Sequence, residues 1–148
     1  MPIPPFTTRV MSWQAAEAQL RTIRTQVFIQ EQHVPETLEW DGEDAQAIHV
    51  LATNNTAGQP IGTGRLLRHG TEAHIGRMAV LAAWRGRGVG SSLLQCLLNE
   101  ASAGGAKSVF LNAQTEAVPF YARFGFVREG VEFLDAGIPH YRMTLTFS

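Results

Sequence analysis

The chain has 148 residues, 45% of them hydrophobic and 17% charged, with a formal net charge of −1. That length suits a single domain over residues 1–148, with enough chain for one proper core. A net charge so near zero gives no basis for nucleic-acid or membrane-surface binding, and no apolar run approaches the ~20 residues needed to cross a bilayer.

Met1-Pro2-Ile3-Pro4-Pro5 lacks the basic and apolar regions of a secretory leader. Cys96 is the only cysteine, so no intrachain disulfide forms. Its place on an apolar helix, three residues after Leu93, predicts a buried structural thiol rather than a reactive one. Together these features predict a cytoplasmic address.

In chain order, Phe6–Met11 reads as a short strand. A helix follows from about Trp13 to Gln30, with Ala16, Leu20, Ile23, Val27 and Phe28 on one side at helical spacing. Pro35 ends it and opens an acidic loop through Glu36, Glu39, Asp41, Glu43 and Asp44. Three strands are predicted next, Gln46–Thr53, Pro60–Arg68 and Glu72–Val80, with turns at 54–58 and 69–71. A leucine-rich helix from about Gly88 to Ala103 is stopped by Gly104-Gly105. Lys107–Ala113 reads as a strand, Glu116–Phe124 as a short helix, and Val127–Glu129 and Tyr141–Phe147 as the last strands. The order β-α-β-β-β-α-β-α-β-β predicts an α/β chain, a mixed sheet flanked by helices.

Arg85-Gly86-Arg87-Gly88-Val89-Gly90, just before the leucine-rich helix, carries the most chemistry. Glycines let the backbone approach a ligand, and the first N–H groups of a helix have no internal partner. With arginines beside them, such N–H groups suit a diphosphate. A P-loop would place Lys-Ser/Thr after Gly90, where Ser91-Ser92 stands instead. A dinucleotide fold would place its third Gly at Ser91 and an acid about twenty residues on, where the nearest charge is Lys107.

The pattern Arg-x-x-Gly-x-Gly, directly after Ile75-Gly76-Arg77-Met78-Ala79-Val80, resembles the acyl-CoA pyrophosphate loop of the GCN5-related N-acetyltransferases (GNAT). Residues 109–126, a strand, a polar turn and then Ala117-x-x-x-Tyr121-x-x-x-Gly125-Phe126, are similar to the closing segment of that family. Residues 27–35, 39–44, His49, 61–66, 76–80 and 137–140 resemble its ElaA-like and YjcF-like branch. The resemblance implies the GNAT fold: a mixed, mostly antiparallel sheet whose fourth and fifth strands splay apart. It also implies acetyl-CoA as co-substrate, no metal, and an amine of a small molecule or peptide as acceptor. Family members often dimerise, although no stripe in this chain demands it.

Residue by residue, the resemblance places the pantetheine arm against the backbone of Met78, Ala79 and Val80. It places the pyrophosphate on N–H groups of Arg85, Gly86, Arg87, Gly88, Val89, Gly90 and Ser91, with side-chain help from Arg85 or Arg87. Tyr121 takes the family's tyrosine position beside the sulfur, where a phenol can protonate a departing thiolate. Backbone N–H near Val80 is the natural oxyanion donor. His74 stands where histone-type members carry a Glu base, and a neutral imidazole can take that proton. Glu31 and His140 are its rivals, since their segments border the acceptor cleft. Phe28 and Gln114 are expected beside the acceptor, and Asn112 or Gln114 near the pantetheine amides. Asp41 and Asp44 are read either as anchors for a cationic acceptor or as a solvated acidic loop.

Two other functions compete. Arg24-x-x-x-Phe28 with Trp40, Asp41 and Asp44 is also similar to the N-terminal half of acyl-homoserine-lactone synthases. A degenerate domain that binds acyl-CoA as a sensor, without turnover, is the other.

Overall fold

In the computed structural model, which describes residues 4–148, β1 (Phe6–Met11) opens the chain. Most of the leader reading, at Met1–Ile3, therefore falls outside the described residues. The α1 helix (Trp13–Arg24) starts at Ser12, whose hydroxyl oxygen accepts from the Ala15 N–H at 3.2 Å. The helical path runs on to Glu31, one residue past the expected end, but Thr25–Glu31 is wound as a π-helix. Such wide turns are uncommon and gather at functional sites. Part of the expected acidic loop is a short helix, α2 (Glu36–Glu39).

The strands β2 (Ile48–Asn54), β3 (Pro60–His69) and β4 (Glu72–Val80) form a meander. Then come α3 (Val89–Ala103), β5 (Ser108–Gln114), α4 (Val118–Ala122), β6 (Val127–Asp135) and β7 (Ile138–Thr146). The last two strands are longer than expected. Ala136 and Gly137, at φ of 52° and 77°, join them in the two-residue turn that hairpin twist favours. Residues 130–132 of β6 oppose the single Tyr141, and this bulge breaks the alternation that reveals a strand.

All seven strands join one sheet in the order β1-β2-β3-β4-β5-β7-β6, antiparallel except where β5 meets β4. Alternate residues of β2 show its two layers. Val50 and Ala52 pack with the α3 leucines Leu93, Leu94 and Leu97, while Leu51 packs with Trp13, Ala16 and Leu20 of α1. Helix α3 lies close because β3 offers Gly64: a Cβ there would meet Met78 Sδ at 2.7 Å and Leu97 Cδ1 at 2.8 Å. Cys96 is half-buried at the edge of the α3 core, and burial pushes its thiol up.

Two irregularities of β4 shape the middle of the sheet. Its register with β3 shifts between Thr63 and Arg65, and Arg77 there holds a left-handed φ of 55°, unusual for a side chain of that size. Its parallel pairing with β5 runs only from Glu72–Ser108 to Ile75–Leu111. Beyond it, residues 76–80 and 112–114 part company. The sheet therefore has an unpaired edge in its own interior.

Candidate active site

A cavity of about 250 Å³ opens where β4 and β5 separate. Phe28, Val34 and Leu38 reach it from the α1 layer, and Tyr121 reaches it from the layer of α3 and α4. The cavity therefore passes through the plane of the sheet. The π-helical turn makes this possible. It puts Phe28 in the lining, Val27 and Phe28 against Ala79, and Glu31 across from Arg85.

The glycine loop follows the unpaired stretch of β4, which ends at Val80, and its residues do not line the cavity itself. Gly86 and Gly88 take φ of 76° and 86°, and Gly88 is the N-cap of α3. No side chain caps that helix, so its first N–H groups are free for an anion. Val89 is buried, a Cβ at Gly90 would meet the Phe120 ring at 3.5 Å, and Ser91 is exposed. The Arg85 guanidinium is engaged elsewhere than expected. It donates to both Glu31 carboxylate oxygens at 2.7 Å and to the Val80 carbonyl at 2.9 Å. Arg87, stacked 5.1 Å from the Trp84 ring, is the cation left over at the loop. The hydrogen bonds from Arg85 hold the Glu31 carboxyl below its ordinary range, which weakens it as a base. Glu31 lines an adjoining hollow, not the cavity itself.

Tyr121 is 8% exposed, edge-on to Phe120 and Phe126, and burial raises its phenol so that it keeps its proton. Among the described residues its hydroxyl has no hydrogen-bond partner. Two histidines also line the cavity. His74 stacks on Phe110 at 4.4 Å, its partner across the parallel ladder. Burial, then the charges of Arg65, His69, Arg77 and Arg142, push its pKa down to about 4. It is neutral at physiological pH but a weak base. His140 is 8% exposed, and its Nδ1 lies 2.6 Å from the Ile138 carbonyl oxygen. A carbonyl can only accept, so Nδ1 carries the hydrogen, and in the neutral ring the lone pair is on Nε2. Met78, Asn112 and Gln114 line the cavity, and Gln114 donates to Gln32 Oε1 at 2.8 Å. Ala79 is buried and Val80 half-buried on the unpaired stretch of β4.

In the acidic segment 36–44, Glu36 and Glu43 are exposed, but Glu39, Asp41 and Asp44 are engaged by arginines. Arg24 donates to Glu39 Oε2 at 2.7 Å and to Asp44 Oδ1 at 2.6 Å. Arg65 donates to Asp41 Oδ2 at 2.8 Å and to Asp44 Oδ1 at 3.1 Å. Arg77 lies 3.1 Å from Glu39 and 3.3 Å from Asp41. Three arginines and three carboxylates thus neutralise one another, most of them buried. Burial works to raise the Asp41 pKa, but the hydrogen bonds from Arg65 and Glu43 and the arginine charges bring it down to about 2. Asp44 is lowered in the same way by Arg24 and Arg65. At Glu39 burial outweighs its arginines and the pKa rises. The cluster clamps α2 over β3 and β4 and so forms one wall of the cavity. Its signal in the sequence was Arg24, which falls on the apolar stripe of α1 four residues after Leu20.

A sheet split beside an uncapped glycine loop, with a buried phenol at the split, defines an acyltransferase-type site. The comparisons agree. The family model described as "Acetyltransferase (GNAT) domain" matches residues 9–147, and the chain belongs to that family. It is 39% identical over 122 residues to the uncharacterized N-acetyltransferase YjcF of Bacillus subtilis, covering 82% of this chain and 86% of that protein. The crystal structure of an acyl-CoA N-acyltransferase from Pseudomonas aeruginosa superposes with a TM-score of 0.83 at 30% identity, over 94% of this chain and 98% of that one. Escherichia coli ElaA gives the same score and coverage at 26% identity.

Proposed function

We propose that the protein is an acetyl-CoA-dependent N-acetyltransferase acting on a primary amine by direct attack in a ternary complex. The observation that carries this reading is the cavity through the sheet. The unpaired strand edge and the buried phenol line it, and the phosphate-type loop follows that same edge in the chain. The free N–H groups at Gly88–Ser91 suit a diphosphate, and the edge of β4 at Met78–Val80 suits an extended arm that carries amides. The chemistry that acetyl-CoA supplies is an activated thioester carbonyl.

The chain's own groups then move protons. His140 Nε2 takes the proton of the acceptor nitrogen, because the other ring nitrogen is committed to the Ile138 carbonyl. The Tyr121 hydroxyl gives a proton to the departing sulfur, a role that its buried, protonated state suits. His74 is proposed as a neutral hydrogen-bonding group rather than the principal base, because its proton affinity is too low. The sensor and lactone-synthase alternatives have no feature of the cavity in their favour.

Titration of acetyl-CoA by calorimetry tests the reading, with Gly88→Glu and Tyr121→Phe beside the wild type. Wild type and Tyr121→Phe should bind at micromolar level, about −8 kcal/mol, and Gly88→Glu should not. Tyr121→Phe should then lower kcat with amine acceptors by about 10²-fold or more. Absence of binding by the wild type refutes the assignment of the loop.

A further inference from the structure

Three carboxylates near the cavity have no role in the reading above. Asp135 ends β6 and lines the cavity. Glu116 and Glu132 line the adjoining hollow, which shares Gln32, Gln114 and Ile138 with it. Among the described residues, no arginine, lysine or histidine nitrogen lies within 4.0 Å of these three. Glu132 accepts only from the Thr115 hydroxyl, at 2.8 Å. Neighbouring acids differ: Glu31 is held by Arg85, and Glu39 by Arg24 and Arg77. No basic side chain lines the adjoining hollow.

The inner end points to a ligand independently of these acids. Tyr121 and His140, each 8% exposed, bring a hydroxyl and an Nε2 without protein partners to the cavity. Ile138, common to both spaces, gives an apolar surface between the buried polar pair and the outer carboxylates.

We infer that the acceptor is an aliphatic diamine, a conclusion that rests on the N-acetyltransferase reading. One amine reacts beside His140 and Tyr121. The methylene spacer crosses Ile138, and the second, protonated amine is held by Glu116 and Glu132, with Asp135 drawing the dication inward. In the step itself the reacting nitrogen forms a bond to the acetyl carbon, and the carbon–sulfur bond breaks. The reacting ammonium first loses one proton to solvent. The attacking nitrogen gives a second to His140 Nε2, and the sulfur receives one from Tyr121. The imidazolium proton returns to the phenolate through solvent, so the products are CoA thiol, a mono-acetylated amine and one released proton. The ligand enters doubly charged and leaves singly charged. Product is therefore held less tightly by the acidic mouth than substrate, and a single acetylation is favoured.

The test compares n-butylamine with putrescine, its diamine of equal chain length, at saturating acetyl-CoA. The expected ratio of kcat/KM is about tenfold or more in favour of putrescine, beyond the about twofold statistical advantage of two amines. That ratio should fall toward the statistical value in a Glu116→Gln/Glu132→Gln double variant, whose folding is verified by thermal unfolding. It should also narrow as ionic strength rises, because the carboxylates are accessible to salt. Equal rates with the two amines, or an unchanged ratio in the double variant, overturn the diamine assignment and leave acyl transfer standing. No turnover of either amine by a wild type that binds acetyl-CoA overturns the diamine assignment, whereas absence of acetyl-CoA binding overturns the N-acetyltransferase reading on which it rests.

Discussion

Asp44→Asn removes one negative charge from the arginine–carboxylate cluster while keeping its shape. In the native protein the cluster holds Arg24, Arg65 and Arg77 against Glu39, Asp41 and Asp44, a balance of three to three. The variant leaves a net positive charge where Arg24 is 1% and Arg65 2% exposed. Water cannot reach these guanidiniums, so the loss is not discounted as it would be for a surface pair. Breaking one partner of a buried pair costs about 3–5 kcal/mol. With an m-value of about 2 kcal/mol per molar urea, the midpoint should fall by roughly 1.5–2.5 M. Tryptophan fluorescence suits the assay, because Trp13 and Trp40 lie over Arg21 and Arg24 at 4.7–5.8 Å and lose those neighbours on unfolding. Arg24→Met combined with Asp44→Asn should cost less than the sum of the singles by about 1–3 kcal/mol. A midpoint shift under about 0.5 M, or strict additivity, would refute the reading of the cluster as a buried, mutually neutralising unit.

Two other perturbations address the sheet and the cavity. The native pKa of His74, about 4, lies below the ordinary imidazole value of 6.5, so the unfolded chain binds the proton more readily. Its contribution to stability is therefore complete above pH 6.5 and lost as pH falls toward about 4, by at most about 3 kcal/mol. Urea titrations across that window should show a steeper pH slope for wild type than for His74→Gln, and equal slopes would refute it. Gly64→Ala should destabilise by about 1–3 kcal/mol, because the new methyl meets Met78 Sδ and Leu97 Cδ1 below contact distance. A neutral result in thermal unfolding would mean that both side chains rotate away freely.

Much of the fold was legible where one physical cause dominates. Phe6–Met11 and Glu72–Val80 have the predicted bounds, because β-rich segments there end at capping or turn residues. The position of the glycine loop at the start of α3, and of Tyr121 on the short α4, was readable because each is signalled by a few neighbouring residues. What was missed depends on pairs distant in sequence. The pairing of Glu39, Asp41 and Asp44 was hidden because nothing adjacent to them is basic; their partners are 15 to 38 residues away by chain number, on α1, β3 and β4. Arg85 read as a phosphate ligand, and only the folded chain brings Glu31 to it across 54 residues. The length of β6 was hidden by its bulge, and the carboxylates at its far end went unnoticed with it.

The interior edge left where β4 quits β5 has a consequence for the life of the protein. An unpaired strand is normally kept short or covered, because it can recruit a foreign strand. On the proposed function that cover is the acyl donor, and the folded state would gain RT ln(1 + [L]/Kd) whenever the donor is bound. On the same reading, starvation for the donor would thin the population of folded protein through quality control before any change in transcription.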